Sequence, residues 1–159
     1  MEFNIRVAQR EDMVQVITLI KELALFEKEP GAVEITAENL ERDGFNENPL
    51  FHCFVAEVKD KIVGMALVYP RYSTWKGRTI HLEDLIINEK MRGTGIGSAL
   101  FTEVIKYGNE LGVKRIEWAV LDWNEPAIKF YEKNGANVMR DWDVVQLDET
   151  GIKNYISKL

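Results

Sequence analysis

The spacing of hydrophobic and polar positions changes several times along the chain, and each change marks an element. Phe3, Ile5 and Val7 alternate with polar residues, the period of a half-buried strand. From Asp12 the period lengthens. Met13, Val16, Ile17, Ile20 and Ala24 recur at helical spacing, and Glu29-Pro30-Gly31 is expected to end that helix. A short second helix is predicted over 36–42, with Thr36 as its N-cap. The middle is strand-rich: one strand over 51–58, a tight turn at Lys59-Asp60-Lys61, a second strand over 62–72 and a third over 78–88.

Beyond a glycine-rich loop, Leu100, Val104, Tyr107 and Leu111 share one face of a helix that Gly112 closes. A strand over 114–121 follows, then a helix over 124–133 with Pro126 in its first turn, where a missing N–H costs little. Gly135 stops that helix, and 138–147 reads as a final strand or hairpin. There is no repeat, low-complexity tract or long linker. The expectation is one domain spanning 1–159, an α/β (α+β) fold with a mixed sheet flanked by helices.

Composition narrows the function classes. Hydrophobic residues make up 46% of the 159, enough for one packed core. No apolar run approaches the roughly 18–20 residues that span a bilayer, and the N-terminus lacks a signal-peptide pattern. One cysteine, Cys53, forms no internal disulfide, so a cytoplasmic location is expected. The formal charge of −6 disfavours a nucleic-acid surface and suits a cationic small substrate, although mild acidity also serves solubility.

The strand–loop–helix order around Arg92-Gly93-Thr94-Gly95-Ile96-Gly97 carries the first chemical signal. Free N–H groups at a helix start, the helix dipole and glycines that permit close approach together bind phosphate; the alternative is a plain glycine-rich turn. The P-loop string is absent. The dinucleotide fingerprint fails because Ser98 stands where its third glycine belongs. Arg92, Gly95 and Gly97 instead fit the Arg-x-x-Gly-x-Gly pyrophosphate loop of the Gcn5-related N-acetyltransferases (GNAT).

A second constellation agrees. Asn124 and Tyr131 lie two helical turns apart, so an amide and a phenol project from nearly one face. The pattern resembles the same family's Asn-x-x-Ala-x-x-x-Tyr followed by Gly-Ala, here Gly135-Ala136. The resemblance runs nearly end to end. Ile20-Lys21-Glu22-Leu23-Ala24, Asp43-Gly44-Phe45, Leu82-Glu83-Asp84 and Trp123-Asn124-Glu125-Pro126 look like the diamine (spermidine/spermine) acetyltransferase group. Ser73-Thr74-Trp75-Lys76-Gly77-Arg78 and Val120-Leu121-Asp122-Trp123-Asn124 look closer to its thialysine N-ε-acetyltransferase branch.

The resemblance implies a mostly antiparallel GNAT-like sheet, acetyl-CoA as cosubstrate, no metal, and a homodimer. It implies that the loop from Arg92 to Ser98 (Gly93, Thr94, Gly95, Ile96 and Gly97 between them) holds the coenzyme. It adds the backbone of Leu85, Ile86 and Ile87, and Asn124, Glu125, Pro126 and Ala127. Tyr131 is implied as general acid and Glu83 as base. Glu27, Ser73, Trp75 and Glu83 are implied to line the amine site. The polyamine branch has an Asp in the place of Ser73. It also carries a Glu before the Trp that Met139-Arg140-Asp141-Trp142 lacks, which tilts the acceptor away from polyamines.

The chemistry asks for such groups. A lysine-like amine, with a pKa of about 10.4, is neutral in only about one molecule in a thousand near pH 7, and a carboxylate can bind the cation and, through water, take its proton. Asp84 rivals Glu83, and strict alternation would send the two to opposite faces. Cys53 lies in an apolar strand and reads as core rather than nucleophile; His52 and His81 form no metal-ligand spacing.

Overall fold

The computed structural model describes residues 2–159, which form two compact units, 2–119 and 120–159. The first unit contains β1 (Asn4–Val7), α1 (Met13–Phe26), α2 (Ala37–Gly44), β2 (His52–Val58), β3 (Lys61–Ser73), β4 (Gly77–Ile87), α3 (Ile96–Glu110) and β5 (Ile116–Glu117). The strands lie in sequence order; the first three pairs are antiparallel, and β4–β5 is parallel. This is the mixed sheet that the order of elements predicts, mostly antiparallel as the family resemblance implies.

Each face of the sheet is covered by the helix whose periodicity supplies it. Met13, Val16, Ile17 and Leu19 of α1 pack with Cys53, Val55, Met65, Leu67 and Ile86. The same helix is anchored from below by Asp12, whose carboxylate accepts from Arg6 at 2.7 and 3.0 Å and from the Gln9 amide at 2.7 Å. Ile96, Leu100, Phe101 and Val104 of α3 are buried too. Gly64 of β3 makes α3's close approach possible: a Cβ there would stand 3.1 Å from the Ile86 carbonyl oxygen and from Leu100. Thr36 caps α2 as predicted, in a reciprocal pair with Asn39. The β2–β3 hairpin turns on Lys59 and Asp60, both at positive φ.

Two boundaries differ from the periodicity. Helix α1 stops at Phe26, before the Pro–Gly pair, because Lys28 adopts φ 64° and breaks the helical path. The strand expected over 114–121 shrinks to Ile116–Glu117, the only stretch that pairs with β4.

In the second unit, α4 (Glu125–Lys133) matches its prediction, with Gly135 at φ 88° beyond its end. The strand or hairpin expected over 138–147 does not form. Met139, Trp142, Val144, Val145 and Leu147 are exposed there, and β-prone residues make a strand only with a ladder partner. A helix absent from the sequence reading, α5 (Glu149–Ile156), follows, capped by Asp148 accepting from the Gly151 amide at 2.7 Å.

Candidate active site

The glycine loop is built from the end of β4 outward. Glu22 of α1 accepts from the Asn88 side chain at 3.0 Å and from the Glu89 amide at 2.9 Å, tying the loop's first turn to the helix beneath it. Thr94 donates its hydroxyl to the Met91 carbonyl at 2.6 Å. Arg92 is held on both sides of its chain: its guanidinium lies 5.0 Å over the Phe26 ring and its Nε reaches the Ile87 carbonyl at 3.4 Å. Gly93 and Gly95 take φ 76° and 90°, a region that favours glycine. Gly95 is the N-cap of α3, and no side chain caps that end. The first-turn amides of Ile96, Gly97 and Ser98 therefore face outward with the positive end of the helix dipole behind them, a fit for a pyrophosphate. Gly97 has a different role from its neighbours: a Cβ there would meet Ile87 at 3.1 Å, so it sets how closely α3 approaches β4.

Among the described residues, the edge of β4 beyond His81 has no strand partner, since β5 pairs only with Ile80 and His81. Of the three amides implied for the acetyl and pantetheine contacts, the ladder leaves two. The Asn88 amide donates to Val63 of β3 at 2.8 Å, and the alternation of an antiparallel pair then turns Ile86 toward β3 as well. Leu85 and Ile87 point their N–H groups to the open edge.

A β-bulge governs the carboxylates. Leu67 pairs with Asp84 and Val68 with Leu82, so Glu83 is the extra residue of β4. This corrects the expectation of opposite faces for Glu83 and Asp84. Glu83 Oε2 accepts from the Tyr69 hydroxyl at 3.1 Å and lies 3.6 Å from His81 Nε2, and Tyr69 occupies the same row of β3 as Leu67, the partner of Asp84. Burial, then the charges of Glu83 and Glu27, push the Asp84 carboxyl up to about 6. Glu27, just past the end of α1, is raised by partial burial, a weak push because the residue is exposed. Glu27, Glu83 and Asp84 thus share one electrostatic environment, in which Tyr69 and His81 are participants that sequence reading missed. Their only signal was register: they are direct partners across β3 and β4.

Trp75 and Ser73 lie elsewhere. Both sit at the tip of the β3–β4 hairpin, where the Ser73 hydroxyl accepts from the Trp75 and Lys76 amides at 3.2 and 3.1 Å. Trp75 is 82% exposed. From Gly77 to Glu83 the strand covers roughly 20 Å, so the tip and the bulge of one chain do not meet. A cavity of about 220 Å³ beside the His52–Tyr107 stack contains none of the predicted residues.

In the second unit, Asn124 is the N-cap of α4: its Oδ1 accepts from the Ala127 amide at 3.4 Å, which leaves Nδ2 for a ligand. Glu125 and Pro126 form the first turn. Tyr131 lies edge-on to Phe130, ring centroids 5.5 Å apart, and burial raises its phenol pKa. Cys53 is buried; burial, with Asp12 and Asp84 nearby, pushes its thiol up to about 12. Among the described residues, no three His, Cys, Asp or Glu side chains converge as metal ligands.

A mixed sheet with an unpaired β4 edge beside an uncapped glycine-rich helix start is a geometry that suits a phosphate-bearing ligand. The profile of the Acetyltransferase (GNAT) family matches residues 16–136, across the junction of the two units. The chain belongs to that family and is an N-acetyltransferase. It is 41% identical over 140 residues to the thialysine N-epsilon-acetyltransferase of Bos taurus, covering 83% of this chain and 82% of that protein. It is 36% identical over 156 residues to the Caenorhabditis elegans protein of the same name, covering 96% of each. Among solved structures, an integron cassette protein from the mobile metagenome of V. cholerae superposes with a TM-score of 0.80 over 100% of this chain and 99% of that one, at 21% identity, a likeness of fold alone.

Proposed function

We propose that the chain moves the acetyl group of acetyl-CoA onto the primary amine of a small cationic acceptor of the thialysine or lysine type, by direct attack in a ternary complex. The observation that carries the choice of a cation is the grouping of Glu27, Glu83 and Asp84: burial first, and then the charges of Glu83 and Glu27, lift Asp84 to about 6. An ammonium placed among these groups relieves their repulsion, so the site's own field selects a cation. The names of the bovine and nematode relatives support the acceptor class.

Acetyl-CoA supplies the acetyl group as a thioester. In this reading the α3 amides from Ile96 to Ser98, the glycines before them and Arg92 hold its pyrophosphate, and Asn124 to Ala127 add contacts from α4. Leu85 and Ile87 donate N–H groups toward the carbonyl and pantetheine arm. Glu83 takes the ammonium proton, directly or through water. The freed nitrogen forms the new C–N bond as the C–S bond breaks, Tyr131 gives its phenolic proton to the departing sulfur, and the surplus proton of the acylated nitrogen passes through solvent to restore the phenol. Both units serve one catalytic domain, a reading supported by the family profile that spans them. A homodimer belongs to the same proposal: the exposed Trp75, remote from Glu83 of its own chain, suits an amine site completed across a subunit boundary. A cytoplasmic setting is proposed with it, in keeping with the lone buried thiol of Cys53.

The test is release of CoA thiol across a panel of thialysine, lysine, putrescine, small diamines, spermidine and spermine. The highest kcat/KM is expected for thialysine or lysine. Turnover of none of them, or a preference for polyamines, would overturn the acceptor assignment.

A further inference from the structure

We infer that Tyr69 and His81 together hold one oxygen of Glu83, Oε2, leaving Oε1 to face the acceptor amine, and that His81 is a positioning residue whose own proton controls amine capture. The inference rests on the reading of Glu83 as base.

Three distances carry it. Tyr69 and His81 are direct partners across β3 and β4, with ring centroids 5.1 Å apart. The Tyr69 hydroxyl donates to Glu83 Oε2 at 3.1 Å, and His81 Nε2 lies 3.6 Å from that same oxygen, a little beyond a hydrogen bond. Neither group addresses Oε1. A bulge residue has no ladder partner to fix its direction, so a carboxylate there needs side-chain holders if it is to keep one orientation.

The imidazole is suited to this. His81 Nδ1 is buried without a hydrogen-bond partner, whereas Nε2 faces the Glu83 carboxylate at 3.6 Å, a short shift from a hydrogen bond. The neutral ring carries one N–H, and Nε2 is where that proton finds a use. The charged and titratable groups around the ring are Tyr69 and Arg71 on β3, Glu83 on β4 and Glu117 on β5, the last paired with Arg71 at 3.0 Å and Arg115 at 3.2 Å. Burial and Arg71 outweigh Glu83 and Glu117, so the imidazole titrates below the ordinary histidine range. At neutral pH the ring is uncharged and holds Oε2 by a neutral contact. Once protonated, it sets a cation beside Glu83 that competes with the substrate ammonium for the same carboxylate.

Two variants and one titration test this. His81→Phe keeps a ring beside Tyr69 without a donor. It is expected to lower kcat/KM for the amine about tenfold or more while KM for acetyl-CoA stays at the wild-type value. His81→Gln restores a donor; it should recover most of that loss and remove the histidine ionisation from the acid limb of the amine profile. In NMR titration, Glu83→Gln should lower the His81 pKa, because the carboxylate that favours the imidazolium is gone. Wild-type kcat/KM in His81→Phe, an acid limb unchanged in His81→Gln, or a His81 titration indifferent to Glu83→Gln would each overturn the inference. The two readings separate cleanly. A slow Glu83→Gln enzyme beside an unaffected His81→Phe sinks the positioning role alone, whereas a fully active Glu83→Gln enzyme sinks the base assignment with it.

Discussion

Glu83 and Asp84 are neighbours in sequence that act in one electrostatic environment, because the β3–β4 ladder pairs Asp84 with Leu67 and leaves Glu83 out. Burial of Asp84 and, after it, this proximity are unfavourable for the fold. The native Asp84 carboxyl is raised from 3.8 to about 6, so the folded chain holds this proton more tightly than the unfolded chain does. Stability from this group is therefore highest at low pH and falls as pH rises from the ordinary carboxylate range through about 6. Asp84→Asn removes the penalty. At pH 7.5 the variant should be more stable than wild type by at most about 3 kcal/mol, and below the unfolded pKa, at about pH 3, the two should be equal. Paired urea denaturation at the two pH values measures this; a variant less stable at pH 7.5 would show that Asp84 is compensated by contacts of its own. Its KM for the cationic acceptor should rise.

The coenzyme loop makes a separate prediction. Gly95 sits at φ 90° with open space where a Cβ would go, so the cost of Gly95→Ala is backbone strain without a clash. About 1–2 kcal/mol of stability should be lost. If the first-turn amides of α3 hold the pyrophosphate, relaxing that strain moves them, and KM for acetyl-CoA should rise severalfold while the amine preference stays put. Steady-state kinetics with each substrate varied in turn would resolve the two effects. An unchanged KM for acetyl-CoA would detach the loop from coenzyme binding.

Cys53 gives a clean discriminator between direct attack and an acetyl-thioenzyme. Its thiol, pushed to about 12, supplies almost no thiolate at neutral pH. Native enzyme should resist iodoacetamide, and Cys53→Ala should keep wild-type kcat, with a small loss of stability from the removed sulfur. Inactivation by the alkylating agent, protected by acetyl-CoA, would point to a covalent route instead.

Much of this was written locally. The helix cap at Thr36, the turn at Lys59 and Asp60, and the loop from Arg92 to α3 depend on residues near in sequence, and the pattern shows them. What stayed hidden depends on partners far away. No glycine or proline marks the bulge at Glu83; it is a property of register between β3 and β4, and with it went the relation of Glu83 to Tyr69 and His81. The apolar residues over 138–147 alternate well enough for a strand but have no ladder to join. Gly151 inside α5 weakens the helical signal there, although Asp148 caps the helix and Ile152, Tyr155 and Ile156 keep helical spacing. For the amine site, the residue types were readable while their distribution was not: Ser73 and Trp75 share a hairpin tip remote from the carboxylates.

Tyr131 is the assignment that kinetics can decide most directly. Burial raises its phenol above the ordinary range of about 10, so the group stays protonated across the neutral region and remains able to donate. A general acid of that kind contributes roughly 10²–10⁴ in rate. Tyr131→Phe deletes one oxygen and leaves the ring beside Phe130 in place, so folding should be close to wild type and KM for acetyl-CoA little changed. The expected signature is a fall in kcat of roughly a hundredfold or more, with the basic limb of the kcat profile lost. Thiol release followed from pH 6 to pH 10 for both enzymes provides the comparison. A wild-type kcat in the variant would remove Tyr131 from the reaction and leave the departing sulfur to be protonated by solvent.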